Sequence, residues 1–292
     1  MSETFWTLRN GITLCARSEG EGRPLLMIAG LGLHMTSWPR AMVDGLAARG
    51  FRVVMFDNRD AGRSSRGAAR PPSRTALFLR RTRPEDYALE DMAGDAAELI
   101  DRLDLKAAHV VGMSMGGMIG QTLAALHPEK VLSLTSIFST TGAPRVGRPS
   151  LEATLRLLRR PAKSREASVE RYLGTMRRIG GRVHRINETR LAAYAAEAWD
   201  RQAPDAHEGF SRQIAAIMKS GDRTKLLARI VAPTLVVHGD RDPLVHPSGG
   251  RATAAAIRGA RFVSIEGMGH DLADGVVPRL VDLIAENAER AG

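Results

Sequence analysis

Ser114 is the residue of this chain whose surroundings are best suited to nucleophilic chemistry. A short, mostly apolar run at residues 108–111 precedes it, and the pattern after Gly117 is helical, so the serine is expected in a turn between a buried strand and a helix. Gly112 and Gly116 complete a G-x-S-x-G motif and let strand and helix pack closely. The N-terminus of the following helix favours negative charge at this point. By itself the motif fits either an activated serine nucleophile or an ordinary glycine-rich turn between strand and helix, and its partners elsewhere in the chain favour the nucleophile.

A serine hydroxyl needs a base within about 2.6–3.2 Å that is itself oriented by a third group. Two late loops offer such groups. His270 comes shortly after one apolar run, and Asp240 and Asp242 come directly after another. Both runs are predicted strands, and open parallel sheets bind their ligands at the carboxyl ends of the strands. We therefore expect Ser114, His270 and one of the two aspartates to meet at one edge of a sheet.

The chain around these residues alternates between strand and helix patterns. An opening hairpin is expected around Asn10-Gly11, a dipeptide that tolerates positive φ. Strands are predicted at residues 25–28, 53–56, 108–111, 131–138, 234–237 and 262–265. Helices are predicted from 37 to about 49 and over about 85–103, 115–127, 247–257 and 272–289, with one long loop at 66–83. Such alternation requires parallel pairing, so the fold class is α/β.

The alternation stops after residue 138 and resumes near residue 226. Between these points we expect four helices, at about 150–160, 165–179, 188–200 and 207–219, and no strand. The chain is therefore divided into a first core part at residues 1–138, a helical cap insertion at residues 139–225 and a second core part at residues 226–292. A block inserted after a core strand is expected to lie over the carboxyl edge of the sheet.

The serine, aspartate, histidine order and the G-x-S-x-G motif together resemble the α/β-hydrolase fold family. The run Asp57-Asn58-Arg59-Asp60-Ala61-Gly62-Arg63-Ser64 is similar to the D-x-R-G-x-G-x-S loop of the capped members. Asp60 stands where the family usually has glycine, a variation found in the branch that resembles aclacinomycin methylesterase. The resemblance implies a mostly parallel central sheet with helices on both faces and an inserted all-helical cap.

The resemblance also implies catalytic roles. Ser114 would be the nucleophile, His270 the general base and acid, and Asp242 the residue that orients the imidazole. The residues alone leave Asp240 open as the acid, whereas the spacing in the family favours Asp242. Backbone N–H groups of Leu31 and Met115 would form the oxyanion hole.

Four residues are candidates for lining the pocket: Gly30, Gly32, His34 and Met113. The family usually has histidine where this chain has Ala29. Of the other histidines, His109 and His127 are assigned to the core strand and a helix end, His184 and His207 to the solvated cap, and His238 and His246 to the support of the acid loop.

These assignments imply a hydrolase that cleaves a carboxylic ester or thioester through an acyl-enzyme intermediate, with no cofactor and no metal. Cofactor-free haloperoxidases or perhydrolases and C–C bond hydrolases of this fold use the same triad, so both stay open. A ligand receptor that retains the triad without turnover is the alternative from another class. Epoxide hydrolases and dehalogenases have aspartate at the position of Ser114, which argues against them.

Positive charge is concentrated in two segments of a 292-residue chain with a formal net charge of +10. Residues 63–83 hold seven Arg and no acid, and residues 144–190 hold 13 basic and four acidic residues. One interpretation is a solvated surface. The other is an entrance that attracts an anionic substrate, or a peripheral contact with anionic lipid headgroups. Nucleic acid is not an expected partner, because the basic residues lack interleaved aromatics and a matching motif.

Cysteine usage and hydropathy restrict the remaining classes. Cys15 is the only cysteine, which excludes an internal disulfide and a cysteine-rich metal site. No apolar run approaches the roughly 18–20 residues that span a bilayer. Residues 1–6 do not resemble the start of a signal peptide, so the cytoplasm is the expected location.

Overall fold

The structure is a computed structural model that describes residues 2–150, 152–153, 162–202 and 205–291. Its described strands are β1 (Thr4–Thr7), β2 (Thr13–Glu19), β3 (Arg23–Ile28), β4 (Phe51–Phe56), β5 (Ala108–Met113), β6 (Val131–Ile137), β7 (Thr234–Gly239) and β8 (Arg261–Ile265). They form one sheet in the order β1-β2-β4-β3-β5-β6-β7-β8. β2 runs antiparallel to β1 and β4, and the other neighbouring strands are parallel. The predicted hairpin and the mostly parallel sheet are confirmed.

Helices cover both faces of this sheet. The described helices are α1 (Arg40–Ala47), α2 (Arg74–Phe78), α3 (Leu89–Arg102), α4 (Met115–Leu126), α5 (Arg165–Ile179), α6 (Glu188–Arg201), α7 (Ala206–Ser220), α8 (Thr224–Leu227), α9 (Ser248–Ala256) and α10 (Val277–Glu289). Residues of α1 and α10 join one hydrophobic cluster, and residues of α3, α4 and α8 join the other.

The central strands are apolar on both faces because both are covered. In β3, Leu26 and Ile28 belong to one cluster while Leu25 and Met27 belong to the other. Strands that are buried on both faces appear in the sequence as continuous apolar runs, which is why their positions could be predicted. Their carboxyl ends open onto one edge, and the chain leaves β5 there at Ser114.

Two predicted elements are wrong in detail. The helix predicted from Ser37 begins at Arg40, because Trp38 precedes a proline and is extended at φ −69° and ψ 129°. The segment 66–83 is not an uninterrupted loop, since it contains α2. Ser73 caps that helix by accepting a hydrogen bond from the backbone N–H of Ala76 at 3.1 Å.

Two other helices begin later than predicted. α3 begins at Leu89 rather than near residue 85, and α10 begins at Val277 rather than near residue 272. In α10 a proline lies in the first turn, where its missing N–H costs nothing.

Three of the four helices predicted between β6 and β7 correspond to α5, α6 and α7. Most of the helix predicted at about 150–160 lies outside the described residues. We call α5, α6 and α7 with their described connecting loops the insertion. In the part of the chain that the structure describes, no helix is both long and apolar enough to cross a bilayer.

Candidate active site

Ser114 lies in a strained turn between β5 and α4. Its backbone has φ 53° and ψ −119°, a region that costs a non-glycine residue about 1–3 kcal/mol. A Cβ atom on Gly112 would lie 2.2 Å from the carbonyl oxygen of Gly116, and one on Gly116 would lie 2.0 Å from that of Ile28. Both positions therefore require glycine. The turn is held by a hydrogen bond of 2.9 Å from the Ser114 N–H to Ile137 O.

The structure brings Ser114, His270 and Asp242 together. Ser114 Oγ lies 3.0 Å from His270 Nε2, and His270 Nδ1 lies 2.6 Å from Asp242 Oδ2. An ionised carboxylate can only accept, so Nδ1 carries the imidazole proton and Nε2 is left to accept from the serine hydroxyl. This is the arrangement in which a histidine can deprotonate a serine as it attacks.

Asp242 is held ionised and in one orientation. Its Oδ1 accepts the backbone N–H groups of Leu244 and Val245, both at 2.8 Å. Burial alone would raise the pKa of Asp242, but the adjacent His270 and a hydrogen bond from His238 lower that pKa to about 2. The carboxylate is therefore negative throughout the neutral range.

Asp240 and His238 support the two loops instead of meeting the serine. Asp240 Oδ1 accepts the N–H of Gly267 at 2.7 Å, which holds the start of the loop that carries His270. His238 Nε2 donates to Val245 O at 2.8 Å. Of the two aspartates that the sequence left open, Asp242 is thus the one hydrogen-bonded to His270.

Two backbone amides beside Ser114 are available to an oxyanion. Among the described residues, no acceptor binds the N–H of Leu31. Met115 is the first residue of α4, so its N–H has no partner within the helix. Gly30 brings the Leu31 loop against the serine, since a Cβ atom at Gly30 would lie 3.4 Å from Ser114 Cβ. Both predicted donors therefore border the nucleophile.

The insertion is hydrogen-bonded to the loop that carries Leu31. Gly32 donates its N–H to Oε1 of Gln213 in α7 at 2.8 Å. His34 donates its N–H to the hydroxyl of Tyr194 in α6 at 3.2 Å. Sequence reasoning missed Gln213 and Tyr194, because nothing in a helical pattern shows which polar residue faces a distant loop.

The insertion also contacts the loop of the histidine. The N–H of His270 donates to the carbonyl of Ile179, the last residue of α5, at 2.7 Å. Gly181 donates its N–H to Asp271 Oδ1 at 3.1 Å, and burial raises the pKa of Asp271. A Cβ atom on Gly181 would lie 2.1 Å from Gly267 O, so the two backbones are in direct contact.

Three aromatic rings lie close to the candidate site, although aromatic residues make up only 4% of the chain. The ring of Phe138 lies 4.4 Å from that of His270. Phe210 of α7 packs on Gly32, whose Cβ atom, if present, would lie 2.7 Å from the ring. Tyr194 adds a third ring beside the Leu31 loop, because its hydroxyl accepts the His34 N–H.

The four candidates for lining the pocket fall into two groups. Gly30 and Gly32 lie in the Leu31 loop next to Ser114 and Phe210. His34 is 3% exposed, and burial together with neighbouring arginines lowers its pKa to about 4, so its ring is neutral at pH 7. Met113 is also 3% exposed and packs in the core cluster that contains α1 and α10.

Ser139 is a further residue at the site that sequence reasoning did not single out. Its hydroxyl donates to the backbone carbonyl of Ser114 at 2.8 Å. Its place just after β6 was a signal, because the carboxyl end of each parallel strand faces the same edge.

Two buried carboxylates of the run 57–64 bind arginines of the insertion. Asp57 Oδ2 accepts from Arg201 at 2.7 Å, and Asp60 Oδ1 accepts from Nε and Nη2 of Arg212 at 3.0 and 2.8 Å. Breaking a buried pair commonly costs about 3–5 kcal/mol. Asp60, at φ 69°, thus occupies a backbone conformation that favours glycine and uses its side chain to anchor α7.

Other possible binding features lie apart from the serine. Among the residues that the structure describes, no three His, Cys, Asp or Glu side chains form a group that could hold a metal ion. A cleft of about 530 Å³ is bordered by charged residues, namely Glu3, Arg63, Arg165, Glu197, Asp200 and Arg201. Ser114, Asp242 and His270 do not line this cleft.

Comparisons with known proteins place this geometry in context. A family model described as alpha/beta hydrolase fold matches residues 23–274. Rhodomycin D methylesterase DauP of Streptomyces sp. (strain C5) is 34% identical, over 87% of this chain and 88% of the relative. Rhodomycin D methylesterase DnrP of Streptomyces peucetius is 33% identical over the same shares. The solved structure of the esterase EaEST from Exiguobacterium antarcticum has a TM-score of 0.76 at 18% identity and covers 99% of this chain and 100% of that chain.

Proposed function

Because this chain belongs to the α/β-hydrolase fold family, we propose that it is a serine hydrolase of carboxylic esters or thioesters that works through an acyl-enzyme. The observation that carries the proposal is the hydrogen-bonded series from Ser114 Oγ to His270 at 3.0 Å and from His270 to Asp242 at 2.6 Å. A base oriented in this way is what a serine hydroxyl requires to act as a nucleophile.

In the proposed acylation step, Ser114 Oγ attacks the carbonyl carbon and its proton passes to His270 Nε2. Asp242 stabilises the resulting imidazolium and keeps the ring in place. The negative oxygen of the tetrahedral intermediate accepts hydrogen bonds from the N–H groups of Leu31 and Met115. Collapse of the intermediate breaks the bond to the alcohol or thiol, which takes the proton from His270.

Deacylation repeats the same chemistry with water. Water gives a proton to His270 Nε2 and attacks the acyl carbon, and Ser114 leaves with that proton. The products are a carboxylic acid and the free enzyme. Protein groups, substrate and water therefore supply every atom that the proposed reaction needs.

The substrate of this proposal is an ester of an apolar, aromatic acid. The proposal is supported by the rings of Phe138, Phe210 and Tyr194, which contact His270 or the Leu31 loop and could pack against such a group. Two relatives that cover most of this chain are named as methylesterases, which supports a small alcohol such as methanol as the leaving group. We also propose that residues 139–225 act as a cap, with the insertion covering the serine.

A fluorophosphonate and an ester panel test the proposed function. We expect the fluorophosphonate to label the wild-type protein at Ser114 with one equivalent. We also expect turnover of p-nitrophenyl and methyl esters, with higher kcat/KM for aromatic acyl groups than for acetate. An intact protein that neither takes up the label nor hydrolyses any ester would contradict the proposal and favour a ligand receptor. Oxidation of bromide with peroxide in the absence of ester hydrolysis would favour a perhydrolase.

A further inference from the structure

Gln213 is a fully buried amide that uses both ends of its side chain. Its Oε1 accepts the N–H of Gly32 at 2.8 Å, and its Nε2 donates to the carbonyl of Arg59 at 2.8 Å. These two partners fix the orientation of the amide, since exchanging O and N would place donor against donor and acceptor against acceptor. One side chain of the insertion thus bridges the loop after β3 and the loop after β4.

The bond to Gly32 acts on the turn that carries the proposed oxyanion donor. Leu33 donates its N–H to Gly30 O at 3.1 Å, which closes a turn with Leu31 and Gly32 at its centre. Gly32 has φ 67°, as the third residue of a type II turn does. Rotation of the Leu31–Gly32 peptide would change the type of turn, and glycine permits that rotation.

Helix α7 is seated firmly enough for Gln213 to hold this peptide. Gly209 lies against Asp60, where a Cβ atom would be 2.3 Å from the Asp60 carbonyl oxygen. Arg212, the neighbour of Gln213, pairs with the same aspartate at 2.8 Å. The first turns of α7, directly before the amide, are therefore fixed to the loop after β4.

We propose that Gln213 is a positioning residue for the oxyanion hole, so that the insertion completes the catalytic site through one amide side chain. The inference rests on the proposed function. Gln213 acts through the peptide that follows Leu31 and needs no contact with the substrate. Its loss would leave the serine, histidine and aspartate in place and would loosen one of the two oxyanion donors.

The variant Gln213→Met tests this role, because methionine has a similar length but replaces the amide oxygen that accepts the Gly32 N–H with, at most, a weakly accepting sulfur. Its matched control is Asn287→Leu. Asn287 is a buried amide of α10 that donates to Leu134 O at 3.0 Å, and it lies outside the candidate site. For both variants we would measure kcat and KM on a p-nitrophenyl ester, the Ki of a trifluoromethyl ketone, the pH profile and the melting temperature.

Loss of a single oxyanion donor costs about 10²–10³ in kcat, so loosening one should cost Gln213→Met about 10–100-fold. The ketone binds as a tetrahedral oxyanion, so its Ki should rise by the same factor. KM and the shape of the pH profile should stay as in the wild type, and Asn287→Leu should change neither kcat nor Ki. If Gln213→Met does not fold, Gln213→Asn, which is too short to reach Gly32, is measured with the same expectations.

Two results would overturn the inference. One is a Gln213 variant with wild-type kcat and ketone affinity. The other is losses that match those of Asn287→Leu and follow the melting temperature, which would indicate a purely structural amide. Failure of the proposed function is a separate result, because it would appear in the wild-type protein as absence of labelling and of turnover.

Discussion

The backbone N–H of His270 donates to the carbonyl of Ile179 at 2.7 Å, so the proposed general base is hydrogen-bonded to the end of an insertion helix. Gln213, also in the insertion, accepts the N–H of Gly32 in the loop of Leu31 at 2.8 Å. In the proposed mechanism, the general base and the loop of one oxyanion donor are thus both hydrogen-bonded to the insertion. Changes in the insertion are therefore expected to alter the rate of the chemical step as well as substrate binding.

Gly181→Ala should slow the reaction by displacing the histidine loop. The new Cβ atom would lie 2.1 Å from Gly267 O, so the loop must move by roughly an ångström, and a misplacement of that size costs about 10²-fold in rate. The measurement is kcat/KM on a p-nitrophenyl ester. Gly94→Ala is the control, since a Cβ atom there meets no atom within 4 Å. Equal activity of the two variants would contradict the dependence of the His270 loop on its contact with the insertion.

Ser114→Ala should abolish ester hydrolysis and leave the fold intact. Loss of the nucleophile should reduce kcat by at least about 10³-fold, since a triad without its serine retains only the contribution of the oxyanion hole and binding. Among the described residues the hydroxyl is hydrogen-bonded to His270 Nε2 alone, so removing it should cost only about 1 kcal/mol of stability. Calorimetry measures whether the fold is intact, and fluorophosphonate labelling measures whether the nucleophile is lost. Labelling that persists in the variant would assign the nucleophile to another residue.

Asp242→Asn and Asp240→Asn form a matched pair that separates the two candidate acids. An amide at position 242 would present a donor to His270 or favour the wrong tautomer, which should lower kcat by about 10⁴-fold. At position 240 an amide oxygen can still accept the Gly267 N–H, so kcat should change by less than about 3-fold. A similar loss of kcat in both variants would show that activity depends on the structure of the loop and not on the carboxylate of Asp242.

The meeting of Ser114, Asp242 and His270 could be predicted because each follows an apolar run that is typical of a buried parallel strand. The direction of such strands places their carboxyl ends at one edge, so three positions distant in sequence become neighbours without any knowledge of side-chain contacts. The same rule explains why Ser139, just after β6, could have been included.

The contacts of the insertion could not be predicted from local patterns. Gln213 lies on a helical face like many others, and its partner Gly32 is 181 residues away. Gly181 requires glycine because the backbone of the histidine loop, at Gly267 and Gly269, lies against it, and only tertiary packing sets those distances. The short helix α2 was missed for another reason, since its five residues make too few turns to show a helical period.

Salt should distinguish an electrostatically steered substrate from a neutral one. Several insertion arginines are paired, for example Arg165 with Asp200 and Arg177 with Glu188. Arg80 and Arg81, just after α2, are exposed and pair with no acidic residue among those described. If these charges attract an anionic ester, its kcat/KM should fall between about 0.01 M and 1 M salt, as the Debye length shrinks from about 30 Å to 3 Å. A neutral ester of the same acyl group is the control, and parallel responses would exclude steering.

Acid should destabilise the protein partly through His109, a buried residue of β5. Burial, together with the cation of Arg23, lowers the pKa of His109 to about 4. In the unfolded state His109 has its ordinary pKa of about 6.5, so between about pH 6.5 and about pH 4 the unfolded state binds one proton more than the folded state. The free energy of unfolding therefore falls as the pH drops through that window, and His109 causes no further loss below about pH 4.

His109→Asn tests this contribution because an asparagine can keep the hydrogen bond to Ser133 Oγ, 2.9 Å in the wild type, and cannot take up a proton. The free energy of unfolding in urea, compared between about pH 7 and about pH 4.5, should change less in the variant than in the wild type, by about 2 kcal/mol. His34 remains in both proteins, so its own acid response cancels in the comparison. The same pH dependence in variant and wild type would mean that His109 does not titrate in this range.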